Sequence, residues 1–313
     1  MDHLKDISIT QLRYFIAAAE RESMTRAAED LFVAQSAISS AVTHLERELR
    51  TQLFIRRRAK GLILTSAGSK LLMHARRVLD SLAESLEELA TDGQVTWGDL
   101  HVVCFSTIVP FYLPDILAGL RDDHPGLTVH VSEAVGGEVS AYLETGRAEV
   151  ALTYDLGLGD LVERETLAEM RPYLALSQDH PLAGHSRLRL ADLVAEPMIL
   201  VDLPHSRDYF LSIFTGLGLT PNIQYRSSNY EAVRAMVAQN HGYAVLNQRP
   251  AMDSTYAGGR VVAVPIAEDV PCLDIVLASL KSARISRRAE VFGARCREVV
   301  RAAAGQGAPA RTA

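Results

Sequence analysis

The stretch from Ser23 to Gly68 constrains this chain more than any other, because two closely spaced helical patterns run straight into a short basic hairpin. Ile38, Val42, Leu45 and Leu49 recur at spacings of four, three and four, the signature of one buried helical stripe. Gln35, Ser36, Ser39, Ser40 and Thr43 fall on the opposite face. They are short, uncharged and rich in hydrogen-bonding groups, a composition suited to base edges and phosphates rather than to solubility alone. Met24 to Phe32, with the small residues Ala27 and Ala28, reads as a preceding short helix with Ser23 as its N-cap and Thr25 in its first turn, both candidate DNA contacts. Past Leu49, two short apolar runs flank Arg56, Arg57, Arg58, Lys60 and Gly61, which reads as a wing.

Charge supports this reading. Between Arg47 and Arg77 nine Lys or Arg stand against one acid, Glu48, whereas the whole chain is net −6. A segregated positive patch on an acidic protein is the electrostatic footprint of phosphate contact. The competing reading is a solvated basic loop.

A chain of 313 residues exceeds the usual single domain, and its hydrophobic content of 48% suffices for packed cores. The N-terminus lacks the charged and apolar regions of a signal peptide, and no apolar run is long enough to span a membrane, so a soluble cytoplasmic protein is expected. Cys104, Cys272 and Cys296 lie far apart without CxxC spacing, which argues against a zinc site and fits a reducing compartment. Buried small hydrophobes are the default reading for Cys104 and Cys272; a redox pair is the alternative.

Upstream, Ser8-Ile-Thr-Gln11 forms a capping box ahead of Leu12, Phe15, Ile16 and Ala19, predicting a first helix that completes a three-helix core. Downstream, Leu72, Ala75, Leu79, Leu82, Leu86 and Leu89 repeat at three- and four-residue steps, a heptad seam whose simplest partner is a second copy of the chain. The alternative is a helix docked on its own protein. Asp92 to Gly98 reads as a linker. From Leu100 the pattern alternates strands and helices in βαβ fashion, predicting a buried parallel sheet, with a second such series from Tyr173 and a cleft between them. A capping box at Ser228-Asn-Tyr-Glu231 opens one helix, and the last is expected over Arg288 to Val300. The tail after Val300 is read as disordered.

In this order, the segments Ala27 to Glu46, Leu53-Phe-Ile-Arg-Arg57 and Leu64-Thr-Ser-Ala-Gly68 resemble the LysR-type transcriptional regulators, and the resemblance covers residues 7 to 300. The family often has Pro where Ser36 stands and Lys or Arg where Ser40 stands. The resemblance implies a winged helix-turn-helix at 7–65, a dimerisation helix at 66–92, and a two-lobed sensor similar to periplasmic binding proteins at 99–300. Its lobes would be 99–171 with 273–300, and 172–272; residues 301–313 form the disordered tail. It further implies a small, often anionic effector between the lobes, met by Ser106, Thr107, Asp202, His205, Ser206, Asn229, Tyr243 and Asn247.

Ser106 and Thr107 precede a helix with Pro110 in its opening turn, so free N–H groups there would suit an anion; simple capping is the competing explanation. Tyr154, Tyr230 and Tyr243 lean toward an aromatic carboxylate as ligand. Asp202, His205 and Ser206 lie too close together in sequence for a catalytic triad, and no nucleophile elbow is present, so an enzyme is not expected. No metal or resident cofactor is expected. The partners implied are double-stranded DNA, a second or further copies of the chain as a homodimer or homotetramer, the small metabolite, and prospectively RNA polymerase. The rival class is an intracellular small-molecule-binding protein with non-specific DNA binding.

Overall fold

The computed structural model describes residues 6–57, 61–91 and 97–307. They form two compact units, the first holding residues up to Trp97 and the short turn Glu144–Ala148, the second the remainder.

In the first unit, α1 (Ile9–Arg21) opens on a complete capping box: Ser8 Oγ accepts the Gln11 N–H at 3.2 Å and Gln11 Oε1 accepts the Ser8 N–H at 2.8 Å. Ser23 caps α2 (Met24–Asp30) by accepting the Arg26 N–H at 3.3 Å. α3 (Gln35–Leu49) turns Ile38, Val42 and Leu45 onto Phe15, Ala18, Ala27 and Ala28, so three short helices share one core. Leu49, expected on the same stripe, is instead exposed at the helix end, where Arg50 turns the chain left-handed.

The hairpin β1 (Phe54–Arg57) and β2 (Gly61–Leu64) is antiparallel. Glu46 of α3 fixes its entry by accepting the N–H groups of Leu53 at 2.8 Å and Phe54 at 3.3 Å. α4 (Ser66–Thr91) begins on Thr65, whose Oγ1 accepts the Gly68 N–H at 3.0 Å. A Cβ at Gly68 would lie 2.1 Å from the Leu53 carbonyl oxygen, so this helix start can approach the hairpin only with glycine there.

Leu72 corrects the expected dimer seam: it is buried in the core of its own three-helix head, because the first turns of α4 pack back against α1. Ala75 is buried as well.

The second unit carries two sheets. β3 (Gly98–Phe105), α5 (Val109–Asp123), β4 (Leu127–Ala134), α6 (Gly137–Glu144), β5 (Val150–Tyr154) and β6 (Val162–Met170) build the first lobe with the late strand β12 (Leu273–Leu280). The order is β4-β3-β5-β12-β6. β3 runs parallel to β4 and β5, but β12 is antiparallel to β5 and β6, so the sheet is mixed rather than wholly parallel. The returning strand arrives from the second lobe without a crossover helix, which removes the parallel constraint. β6 was not anticipated because its Val-Glu-Arg-Glu run is polar, as suits an edge strand.

The second lobe contains β7 (Tyr173–Ser177), β8 (Pro197–Val201), α7 (Ser206–Thr215), β9 (Asn222–Ser227), α8 (Tyr230–Ala238), β10 (Ala244–Leu246) and β11 (Val261–Pro265). β10-β7-β11 form an antiparallel group, β8 pairs β9 in parallel, and a Met198–Tyr243 bridge joins the two. The cap of α8 is Asn229, which accepts the Ala232 N–H at 2.9 Å, and not Ser228 of the expected box.

The last helix, α9 (Arg287–Gly307), continues past Val300 through Arg301-Ala-Ala-Ala, where the tail was expected to be disordered; alanine's high helix propensity accounts for the extension. The rest of that tail, 308–313, lies outside the described residues. Among the described residues no helix is long and apolar enough to cross a membrane, and no three His, Cys, Asp or Glu side chains converge as a metal site requires.

Candidate functional site

The head presents a polar face free of internal obligations. Ser36, Ser40 and Thr43 are exposed on the side of α3 away from Ile38, Val42 and Leu45, with Gln35 exposed in its first turn and Ser39 half-buried at the flank. Their side chains have no hydrogen-bond partner among the described residues, so their donors and acceptors remain available. Thr25 is exposed on α2, while the Ser23 hydroxyl is engaged in capping. Arg56 and Arg57 close β1. Arg58 and Lys60 lie outside the described residues. Glu46 was legible as part of the motif but not as the clamp that sets the hairpin against α3.

Along α4, Leu79 is half-buried, and Leu82 and the unanticipated Val78 are exposed at 37% and 51%. Val78 and Leu82 are four residues apart and so share a helix face. Leu86 and Leu89 lie farther along α4, and their side chains are outside the described set.

Between the lobes of the second unit is a cavity of about 20 Å³, room for one or two water-sized centres. Thr107, Tyr154, Ser206, Tyr230, Asn247 and Gln248 supply its polar groups, and Val201, Leu203, Phe210, Leu246 and Leu273 its apolar wall. Of the eight residues expected here, Thr107, Ser206 and Asn247 are brought together.

The other five are elsewhere. The Ser106 N–H donates to Ala134 O at 3.0 Å and the Ile108 N–H to Phe105 O at 2.8 Å. The start of α5 therefore has fewer free donors for an anion than the sequence implied. Asp202 pairs with Arg207 at 3.4 Å and Arg226 at 3.5 Å instead of facing the cavity. Asn229 is engaged as a cap, and Tyr243 is wholly buried in the second lobe.

His205 is exposed at the rim, with φ 62°. A Cβ at Gly157 would come within 2.5 Å of its imidazole, so the first lobe accommodates this ring because Gly157 has no side chain.

The residue that sequence reasoning missed is Gln248. Its Oε1 accepts the Tyr112 hydroxyl at 3.1 Å and its Nε2 donates to Tyr154 Oη at 3.0 Å, linking the second lobe to the first. Its backbone carbonyl accepts the Tyr173 hydroxyl at 2.8 Å and that of Tyr230. The only sequence signal was its place next to Asn247 after a short apolar strand. Burial raises the pKa of Tyr112, Tyr154, Tyr173 and Tyr230, so all four act as neutral hydrogen-bonding groups at physiological pH. Asn247 Nδ2 donates to Met170 O and to Tyr209 Oη, each at 3.1 Å.

The cysteines are poor nucleophiles. Burial pushes the Cys104 thiol up to about 12 and the Cys296 thiol well above its ordinary value; burial, aided by Glu169, pushes Cys272 to about 11. Thiolate is therefore scarce at neutral pH.

Against known proteins, the family described as the LysR substrate binding domain matches residues 93–301, and the bacterial regulatory helix-turn-helix protein, lysR family, matches residues 9–69. An uncharacterized HTH-type transcriptional regulator of Bacillus subtilis, YvbU, is 31% identical over 242 residues, covering 77% of this chain and 82% of that protein. The DNA-binding transcriptional dual regulator OxyR of Escherichia coli is 28% identical over 241 residues, covering 77% and 79%. The crystal structure of HinK, a LysR family transcriptional regulator from Pseudomonas aeruginosa, shares 37% identity and a TM-score of 0.63, covering 94% of this chain and 99% of that one.

Proposed function

This chain belongs to the LysR family of DNA-binding transcriptional regulators, and from that premise we propose that it reads a dyad-symmetric promoter site as an oligomer and adjusts that binding to a small metabolite held between its sensor lobes. The observation that carries the DNA half is the open polar face of α3 beside the basic hairpin. Gln35 and Ser39 address base edges, and Arg56 to Lys60 address flanking phosphates.

Two copies of such a head gain affinity on a palindrome when a rigid element spaces them. The exposed stretch of α4 around Val78 and Leu82 supplies a surface for that pairing, continued by Leu79, Leu86 and Leu89 in a homodimer or homotetramer. The effector acts through Thr107, Ser206 and Asn247. It can shift the DNA-binding equilibrium only by its differential affinity for the two lobe arrangements.

Selection of bound genomic fragments by the purified protein tests this reading, and enrichment of one interrupted palindrome is the expected outcome. On that sequence, Gln35→Ala relaxes base preference. Arg57→Ala instead weakens specific and random DNA alike and lowers the salt slope by about one. No enrichment, or identical behaviour of the two variants on specific and random DNA, overturns the assignment in favour of a metabolite-binding protein with non-specific DNA affinity.

A further inference from the structure

The sensor cavity defines its ligand by what its walls lack. No Asp, Glu, Lys, Arg or His lines it among the described residues. Several backbone donors near it are taken: the Ser106 N–H by Ala134 O of β4 and the Ile108 N–H by Phe105 O, at 3.0 and 2.8 Å, and at the start of α7 the Ser206 and Arg207 N–H groups by Pro204 O and Leu203 O, at 2.8 and 2.9 Å. An anion placed here would lose its hydration and gain no cation in return, a strongly unfavourable exchange.

One fully buried side-chain polar atom of the lining is left without a partner among the described residues. Asn247 is only 6% exposed and lines the cavity. Its Nδ2 is fixed by Met170 O and Tyr209 Oη, and the carbonyl partner determines which way the amide faces. Its Oδ1 is buried without a partner among the described residues. A buried, unpaired acceptor is costly and is satisfied by whatever donor enters.

We infer that the effector of this cleft is a small uncharged molecule that donates a hydrogen bond to Asn247 Oδ1, with its remaining surface against Phe210, Leu203 and Val201. This rests on the effector-sensing reading above and replaces the anionic effector that the family resemblance implied by a neutral donor. In this lobe arrangement the cavity holds about one or two non-hydrogen atoms, so a four-atom probe enters with the slight lobe opening that effector binding requires. Specificity follows from the walls: a charged analogue is rejected by desolvation, and an isostere without a donor leaves Oδ1 unpaired.

Acetamide, acetate and acetone have the same number of non-hydrogen atoms and separate these alternatives. Each is titrated into the full-length protein while the side-chain amide NMR signals are followed, with the Asn247 signal assigned by its loss in Asn247→Leu. The expected result is a saturable shift of that signal with acetamide, at least tenfold weaker response to acetate and acetone, and no saturable acetamide response at the neighbouring cleft amide of Gln248 in the variant. A stronger response to acetate, equal responses to acetamide and acetone, or no response to any of the three overturns the inference. Sequence-selective DNA binding measured on the same sample scores the regulator reading separately, so that reading can stand while the neutral-donor inference falls.

Discussion

The recognition face of the head and the cleft of the sensor are both polar surfaces prepared for something outside the chain, yet they are prepared in opposite ways. On α3, Gln35, Ser36, Ser40 and Thr43 stand open to solvent while the helix is held from behind by Ile38, Val42 and Leu45. In the cleft nearly every polar group already has a partner within the chain, with Gln248 serving four tyrosines. A surface that must meet a long, highly charged polymer benefits from rigid presentation and unpaired groups. A site that must change state when a small molecule arrives benefits from internal bonds that exist in one arrangement and break in another. Rigid presentation therefore suits the proposed role of the head, and a breakable bond network suits the proposed role of the sensor.

The largest test of the head's rigidity is Gly68. A side chain there meets the Leu53 carbonyl, a backbone atom that cannot yield without moving the hairpin off α3. Gly68→Val is expected to destabilise the head by about 3 kcal/mol or more, the upper range for overpacking. Hydrogen exchange read by mass spectrometry should show the loss in residues 9–69 while the sensor keeps its protection. Loss spread equally through both units would break the comparison.

The corresponding test in the sensor is Gln248→Leu, which keeps volume but leaves the Tyr112 and Tyr154 hydroxyls without their amide partner. The expected cost is about 2 kcal/mol, since a buried polar group left unsatisfied costs about 1–3 kcal/mol. Chemical denaturation monitored by tyrosine absorbance measures it. Hydrogen exchange of the full chain should leave residues 9–69 as protected as in the parent, since Gln248 lies in the second unit. A variant as stable as the parent would mean that the tyrosine hydroxyls find other partners and that Gln248 is no latch.

The contrast also explains which parts were legible in the sequence. The head is built from local signals: the Ser8–Gln11 box, the Ser23 cap and the Ile38–Val42–Leu45 stripe each involve residues a few positions apart, and each formed as expected. Within the sensor, most strands with apolar cores were equally readable, although β11 (Val261–Pro265) was passed over. The cleft was not, because its hub joins Gln248 to Tyr112 and Tyr154, 136 and 94 residues away in sequence. Nothing in local pattern marks a glutamine as the meeting point of two lobes. Asp202 and Asn229 show the reverse error: their chemistry suited a binding site, but nearby arginines and a helix N-terminus had first claim on them. The heptad on α4 likewise read as one seam, whereas Leu72 closes the core of its own head.

The smallest effect sharpens the comparison at the turn between α2 and α3. Phe32 is 96% exposed and holds φ at 53°, a left-handed conformation that favours Gly or Asn over an aromatic residue. Its ring gains no burial in return; the turn is held by its backbone, with Phe32 N–H donating to Glu29 O at 3.2 Å and Val33 N–H to Ala28 O at 3.0 Å. Phe32→Asn is expected to stabilise the head by about 1 kcal/mol, because asparagine tolerates this backbone and the exposed ring contributes no packing. Thermal denaturation followed by circular dichroism of the full chain would show the first transition moving upward with the second unchanged. If the recognition face is confined to α3 and the hairpin, operator affinity stays within twofold of the parent. A gain in stability accompanied by a clear fall in affinity would extend that face to the turn and make Phe32 an apolar contact retained for DNA at the expense of the fold.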